Sequence, residues 1–316
     1  MMNSVDSPSH ASKLVLAEVA AIADRLNQLA FREGSYASAL EWLYFNRYSQ
    51  AEANEQLYAM NWPIVGIAVQ GSKHMRVGEQ IFTYGGARLF VAPISLPITF
   101  QTMQASITEP FLGIGIYLDP QRIAELVPNV YPQGLPPMDK REAGYVMDAD
   151  AALLNAIGRL LECLSNPSDT QLLAPLVRDE LYIRLLRSPV GVYIAETVFA
   201  DSVVQRMTQA IAWLREHYDQ PFKVPELASR IHLSESSFRE QFKAVTGFSP
   251  LQYQKMLRLQ EARRLMLSEG MDATGACRMV GYVSDSQFSR DYSRLFGDAP
   301  SRDIARLRIG SRPVVR

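Results

Sequence analysis

Apolar positions in the last hundred or so residues repeat one pattern twice. Val224, Leu227, Ala228 and Ile231 stand at i, i+3, i+4 and i+7, and so do Ala273, Ala276, Cys277 and Val280. Each set makes one face of a short amphipathic helix. A break follows, His232-Leu233-Ser234 in the first copy and Gly281-Tyr282-Val283-Ser284 in the second. Then comes a second apolar pair, Phe238 and Phe242, matched by Phe288 and Tyr292, and each copy closes on a glycine and a proline, Gly247 and Pro250, Gly297 and Pro300. From Phe238 to Pro250 these counterparts lie 50 positions apart, whereas the first short helices lie 49 apart, so the second turn is one residue longer. Self-similarity at a fixed offset marks a repeated supersecondary unit.

Local chemistry agrees with two helix-turn-helix units, at about 224–246 and 273–296. Ser234 and Ser284 are placed as N-caps. Leu233 before the cap and Phe238 four residues after it predict a hydrophobic staple; Val283, Gln287 and Phe288 predict a staple and a capping box together. Gly247 and Gly297 suit left-handed helix ends, and Pro250 and Pro300 the first turn of the next helix. With the aromatic pair inward, the opposite face of the first copy shows Ser236, Arg239, Glu240 and Lys243. The second copy shows Ser286, Ser289, Arg290 and Ser293, with Asp285 at the tip. A helix of this unit enters the major groove of DNA, where arginine grips guanine in a fork, glutamate accepts from cytosine and serine is permissive. A lone helix of this kind reads as a solvated face; two capped copies with small or basic faces favour DNA.

Between the copies, Pro250 to Leu267 is rich in helix formers and free of glycine. A helix of about 18 residues spans roughly 27 Å, close to the spacing of about 34 Å between major grooves on one DNA face. One chain can then reach two adjacent grooves. Arg258, Arg263 and Arg264 on this helix are candidates for phosphate contacts, or are simply solvated.

The run F-x3-F-x3-T-G-x-S-P-x-x-Y from Phe238 to Tyr253, followed by V-G-Y-x-S-x-S-Q-F-S-R from Val280 to Arg290, resembles the AraC/XylS family of bacterial transcription regulators over roughly 202–308. The resemblance implies that both second helices enter the major groove, that base contacts fall on Ser236, Arg239, Glu240, Asp285, Ser286 and Arg290, and that RNA polymerase is a partner in activation. The second copy departs from the family at Gly275 and at the order Arg278-Met279.

Upstream, residues 14 to 31 pattern as a helix, and from Leu40 to about Leu118 the signal turns to strands. Short β-branched and aromatic runs stand at Ile64–Val69, Gln80–Tyr84, Arg88–Ala92, Ile98–Gln101 and Phe111–Tyr117, broken by glycine and proline. Strands at this spacing imply a small antiparallel barrel or sandwich. The stretches V-Q-G-S-K-H (Val69 to His74) and V-G-E-Q-I-F-T-Y (Val77 to Tyr84), with Leu96-Pro97, resemble the N-terminal domain of one AraC/XylS subgroup, which implies a cupin-like barrel followed by helices. Phe82, Tyr84, Phe90, Phe100 and Tyr117 are candidates to line a pocket for a small organic effector, or are plain core. Only His74 of the four histidines lies among the strands, with Glu79 nearby, so a cupin metal site is not expected. Helices at about 149–164 and 170–187 carry more leucine than one face needs; they either pack on their own barrel or form a homodimer. Pro175 kinks the second or resets its start.

The fold expected is α+β in two domains: a cupin-like β-barrel with flanking helices at 14–187, a linker at 188–201, an all-α domain with two helix-turn-helix units and their linking helix at 202–309, and a tail at 310–316. Charge follows this division. The formal net charge is −1, yet from Val203 onward 18 Lys and Arg face 12 Asp and Glu, a net of +6, which suits a polyanion partner. Cys163 and Cys277 form no CxxC pair; burial is expected, with a redox role as the alternative. Absence of a long apolar run argues against a membrane span, and with the lack of a secretory pattern it places the chain in the cytoplasm. No cofactor, metal cluster, nucleophile elbow or phosphate loop is legible. The resulting reading is a regulator, and no enzyme, that binds double-stranded promoter DNA, acts as an activator and answers to a small organic effector. Its rivals are a constitutive DNA-binding protein whose barrel only dimerises, and an enzyme fused to a DNA-binding domain.

Overall fold

The computed structural model describes residues 10–51, 56–59, 63–138, 141–199 and 201–310. These divide into two compact units, one running to Gln205 apart from Gln56–Ala59, the other holding those four residues and the chain from Arg206 on. Apart from Gly310, the tail expected at 310–316 lies outside the described residues.

The first unit opens with α1 (His10–Leu29), followed by β1 (Gly34–Ala37) and β2 (Leu43–Tyr48). Past the short β3 (Gln56–Ala59) come β4 (Ile64–Gln70), β5 (Ser72–Val77), β6 (Gln80–Gly85), β7 (Arg88–Ala92), β8 (Pro97–Gln104) and β9 (Phe111–Tyr117). Then follow α2 (Pro120–Val130), β10 (Tyr145–Asp148), α3 (Ala151–Cys163), α4 (Pro167–Leu172), α5 (Ala174–Leu186) and α6 (Gly191–Glu196). Six strands form an antiparallel sheet in the order β1-β2-β9-β4-β7-β10. In a second sheet β5 pairs with β6 on one side and β8 on the other, both antiparallel.

Period-two alternation sorts the side chains of the larger sheet. Val65, Ile67, Leu89, Val91, Ile114 and Ile116 join one core with Ile22 and Leu26 of α1, Leu154 and Ile157 of α3, and Leu181 and Leu185 of α5. Val69 and Leu112 continue the same face into that core, while Phe90 and Tyr117, at alternate positions, turn to the other. All five strands named from sequence form within a few residues of the expected limits. Two sheets stand where a barrel or sandwich was expected.

Three elements differ from expectation for local reasons. Pro175 lies in the first turn of α5, so the helix expected at 170–187 begins anew there and α4 is separate. The stretch 188–201 is not a bare connector: α6 forms within it, and Val190, Ile194 and Ala195 join the core of the first unit. Helix α2 went unread, although Asp119 caps it, accepting from the N–H groups of Gln121 and Arg122 at 3.0 and 3.3 Å, with Pro120 next.

The second unit is helical, from α7 (Val203–Glu216), whose first residues fall at the boundary, through α8 (Val224–Arg230), α9 (Glu235–Thr246), α10 (Pro250–Ser268), α11 (Ala273–Met279) and α12 (Asp285–Phe296) to α13 (Pro300–Gly310). Among the described residues no helix is long and apolar enough to cross a membrane.

Candidate nucleic-acid interface

Each repeat is a short helix, a turn and a longer capped helix: α8 and α9, then α11 and α12. Ser234 Oγ accepts from the Ser237 N–H and Ser284 Oγ from the Gln287 N–H, both at 3.3 Å. Gly247 and Gly297 end α9 and α12 in the left-handed region, at φ of 78° and 80°. Their N–H groups donate to the carbonyls of Lys243 and Ser293 at 2.8 and 2.9 Å. A reciprocal capping box, expected at Ser284, forms instead at Ser249–Gln252, where α10 begins.

The extra residue of the second turn is Val283. His232 and Gly281 are both left-handed (φ 57° and 77°), and Leu233 and Tyr282 donate to the carbonyls of Ala228 and Cys277, each at 3.0 Å. Up to that point the two turns match. In the first copy the serine cap follows at once, whereas in the second Val283 is inserted and lies fully exposed. The staple expected between Val283 and Phe288 is therefore absent; Tyr282 packs edge-on against Phe288 instead, with ring centroids 5.4 Å apart. A side chain on Gly281 would collide with the Asp219 carbonyl, its Cβ 1.9 Å from that oxygen.

Phe238, Phe242, Phe288 and Tyr292 are buried, and Phe238, Phe242 and Tyr253 form a chain of edge-on rings 5.3 and 5.5 Å apart. That burial fixes which face is outward. Ser236, Arg239, Glu240 and Lys243 are exposed on α9, as are Asp285, Ser286, Ser289 and Arg290 on α12, while Ser293 is half-buried and donates to the Ser289 carbonyl. Arg239 also forms an ion pair with Glu235 one turn back, Nε to Oε1 at 2.8 Å and Nη2 to the same oxygen at 2.6 Å. Glu235 was not singled out from sequence, although its i, i+4 spacing to Arg239 was there to read.

The three arginines of α10 are engaged within the unit. Arg258 donates to the carbonyls of Tyr218, Gly281, Asp219 and Gln220 at 2.6 to 3.1 Å. Arg263 pairs with buried Asp303, and Arg264 with Glu261 and Glu269. Arg258 and Arg263 are thereby committed to partners within the unit, while Arg264 is half exposed and pairs with surface carboxylates.

In the first unit the five candidate effector residues fall into three separate groups. Phe90 meets Phe82 and Tyr84 with centroids 5.5 and 6.1 Å apart, so these three form one cluster. Tyr117 instead packs on Tyr44 at 4.6 Å. Phe100 lies beside Lys73, whose Nζ is 4.0, 4.4 and 5.5 Å from the ring centres of Tyr48, Phe111 and Phe100. Lys73 is buried and unforeseen; its alternation with Met75 and Val77 on β5 is the signal that could have placed it inward. His74, one residue on, takes the opposite face, opposite Thr83 and Gln101. Among the described residues no three His, Cys, Asp or Glu side chains are grouped to hold a metal ion. A cavity of about 410 Å³ opens elsewhere, between the end of α2 and Val198–Phe199, and none of the five lines it.

Both cysteines are buried and free. Burial, with the nearby Asp285 carboxylate, pushes the Cys277 thiol up to about 11; burial likewise raises that of Cys163.

Residues 40–193 match the family described as AraC-type transcriptional regulator N-terminus, and residues 227–306 match a helix-turn-helix domain family. The chain belongs to the AraC/XylS family. Among relatives, it is 27% identical over 155 residues to the probable transcriptional regulator LumQ of Photobacterium leiognathi, covering 48% of this chain and 60% of that protein. It is 29% identical over 147 residues to the HTH-type transcriptional activator RhaS of Klebsiella pneumoniae, covering 46% and 50%. The chain spans about half the length of the curated relatives it matches. Among solved structures, ToxT of Vibrio cholerae with bound unsaturated fatty acid aligns with a TM-score of 0.53 at 12% identity, over 86% of this chain and 97% of that one. That likeness shows a shared AraC/XylS fold, with a β-rich N-terminal part and a helical C-terminal part.

Proposed function

We propose that this AraC/XylS member is a cytoplasmic transcription regulator that binds a specific double-stranded promoter element through α9 and α12. The observation that carries the reading is the pair of capped second helices, 50 residues apart, each anchored by two buried aromatics and each turning a polar face to solvent. Ser236, Arg239, Glu240 and Lys243 contact DNA in one groove, and Asp285, Ser286 and Arg290 in the next. Activation, with RNA polymerase as a partner, is supported by the RhaS relatives, which are named activators.

Control by a small organic effector in the first unit is the second part of the proposal. ToxT holding a fatty acid supports it, as does the aromatic cluster of Phe82, Tyr84 and Phe90 between the sheets. A ligand that binds one state better shifts the population toward it. One observation favours the rival reading, a constitutive regulator whose first unit only dimerises: Leu172, Leu173 and Leu176 of α4 and α5 are exposed, an apolar patch suited to a second copy. A third reading, an enzyme fused to a DNA-binding domain, gains no support from the relatives, which are regulators.

The test is selection of the full chain against a random double-stranded DNA library, followed by mobility shifts on the recovered sequence. One enriched motif with two half-elements about a helical turn apart is expected; enrichment of nothing would overturn the proposal. Thermal melting with long-chain fatty acids and aromatic acids separates the effector reading from the constitutive one.

A further inference from the structure

We infer that Glu235 is a positioning residue that sets how Arg239 meets a base, an inference that rests on the reading of α9 as a DNA-reading helix. A guanidinium carries five N–H donors in one plane. Here a single carboxylate oxygen of Glu235 accepts from Nε and from one N–H of Nη2, at 2.8 and 2.6 Å. Those two donors lie along one edge of the fork. The three that remain, two on Nη1 and one on Nη2, include the parallel pair at the end of the side chain, and that pair matches O6 and N7 of guanine. Glu235 thus closes one edge of the arginine and leaves the end-on edge for a base.

The carboxylate is well placed for this. It lies in the first turn of α9, where the helix dipole favours negative charge. Both side chains are partly exposed in the free protein, so the pair is weak in water. Inside a groove the effective dielectric falls and the pairing tightens. A negative charge at the tip of the helix also repels phosphates, which penalises every register in which Arg239 finds no guanine to compensate. Discrimination comes from both effects.

The second copy lacks the device. Fifty positions after Glu235 and Arg239 stand Asp285 and Ser289, and serine has no fork. Arg290 of α12 is exposed and makes no hydrogen bond or ion pair among the described residues. The arginine of α12 that does meet a carboxylate is Arg294, 3.8 Å from Asp291.

The experiment uses the full chain and the sequence recovered from a random double-stranded DNA library. Affinities of wild type, Glu235→Gln, Arg239→Ala and the double variant are measured on that sequence and on its single-base-pair substitutions. Arg239→Ala identifies the base pair that Arg239 reads. Glu235→Gln, which keeps the shape and removes the charge, should lower the preference for guanine there by about fivefold or more, the low end of what a bidentate arginine contact is worth. It should also raise affinity for unselected DNA. In the Arg239→Ala background the same substitution should change base preference no further. An unchanged preference in Glu235→Gln overturns the inference, and so does an equal change in both backgrounds, because Glu235 would then read a base by itself. If the full chain enriches no sequence, the DNA-reading proposal fails and this inference fails with it; enrichment with a silent Glu235→Gln sinks this inference alone.

Discussion

Arg263 holds the fully buried carboxylate of Asp303 through two hydrogen bonds, Nε to Oδ2 at 2.9 Å and Nη2 to Oδ1 at 3.0 Å. Tyr292 donates its hydroxyl to the same carboxylate at 2.8 Å and Arg306 adds a further bond at 2.7 Å. One acidic side chain thereby ties α10, α12 and α13 together. Burial, and then the bond to Asp303, hold the Tyr292 hydroxyl protonated far above the ordinary tyrosine range.

Asp303→Ala leaves Arg263 charged, largely buried and unpaired, and strands the Tyr292 hydroxyl. The expected cost is about 3–5 kcal/mol, read from urea unfolding, with Asp303→Asn milder because it still accepts hydrogen bonds. A loss under about 1 kcal/mol would show that the network does not hold the second repeat.

Phe238→Ala and Phe288→Ala each open a cavity in a core where the ring is fully buried. Each should cost about 3–5 kcal/mol and abolish DNA binding along with cooperative melting of the second unit. A stably folded Phe238→Ala protein with full affinity would contradict the register of the first repeat.

Tyr282 and Val283 separate sharply. Tyr282→Ala should destabilise by about 3 kcal/mol, since its ring packs on Phe288. Val283→Ser should stay within about 0.5 kcal/mol, as for other exposed positions. Paired denaturant titrations decide; equal effects would refute the assignment of Val283 as the inserted residue.

The thiol of Cys277 should resist alkylation at pH 8. With its pKa raised from 9.0 to about 11, the thiolate fraction falls roughly 100-fold against an ordinary cysteine. Because the folded value is the higher one, the linked stability is present below pH 9 and is lost as pH rises through 11. A thiol-reagent time course on native and urea-unfolded protein checks this; rapid native reaction would reopen a redox role.

A fragment from Ser202 onward should bind the selected DNA on its own, since it carries both repeats, α10 between them and a net charge of +6 from Val203. The logarithm of the affinity should fall linearly with the logarithm of salt, the slope giving the number of phosphates neutralised. A folded fragment that fails to bind at low salt would point to obligate dimerisation through the first unit.

What the sequence determined by itself was whatever depends on neighbours within a few residues. Ser234 and Ser284 cap, Gly247 and Gly297 take left-handed dihedrals, and the aromatic pairs turn inward, because the physics of a helix end acts over one turn. Five of the six strands between Ile64 and Tyr117, all but β5, were legible for the same reason. Only the tertiary structure decided which partners distant residues find. Arg258, Arg263 and Arg264 look alike on a helix, yet their partners lie up to 40 residues away, at Tyr218, Gly281 and Asp303, as well as nearby at Glu261 and Glu269. Lys73 lies among three rings brought from β2, β8 and β9, and the 188–201 segment contributes to a core built by strands a hundred residues earlier. Val283 and Tyr282 exchanged the roles their spacing assigned, because one inserted residue turns a side chain outward and only the packed neighbour, Phe288, selects which ring covers it. Periodicity names the face a residue shares; it does not name the group that face will meet.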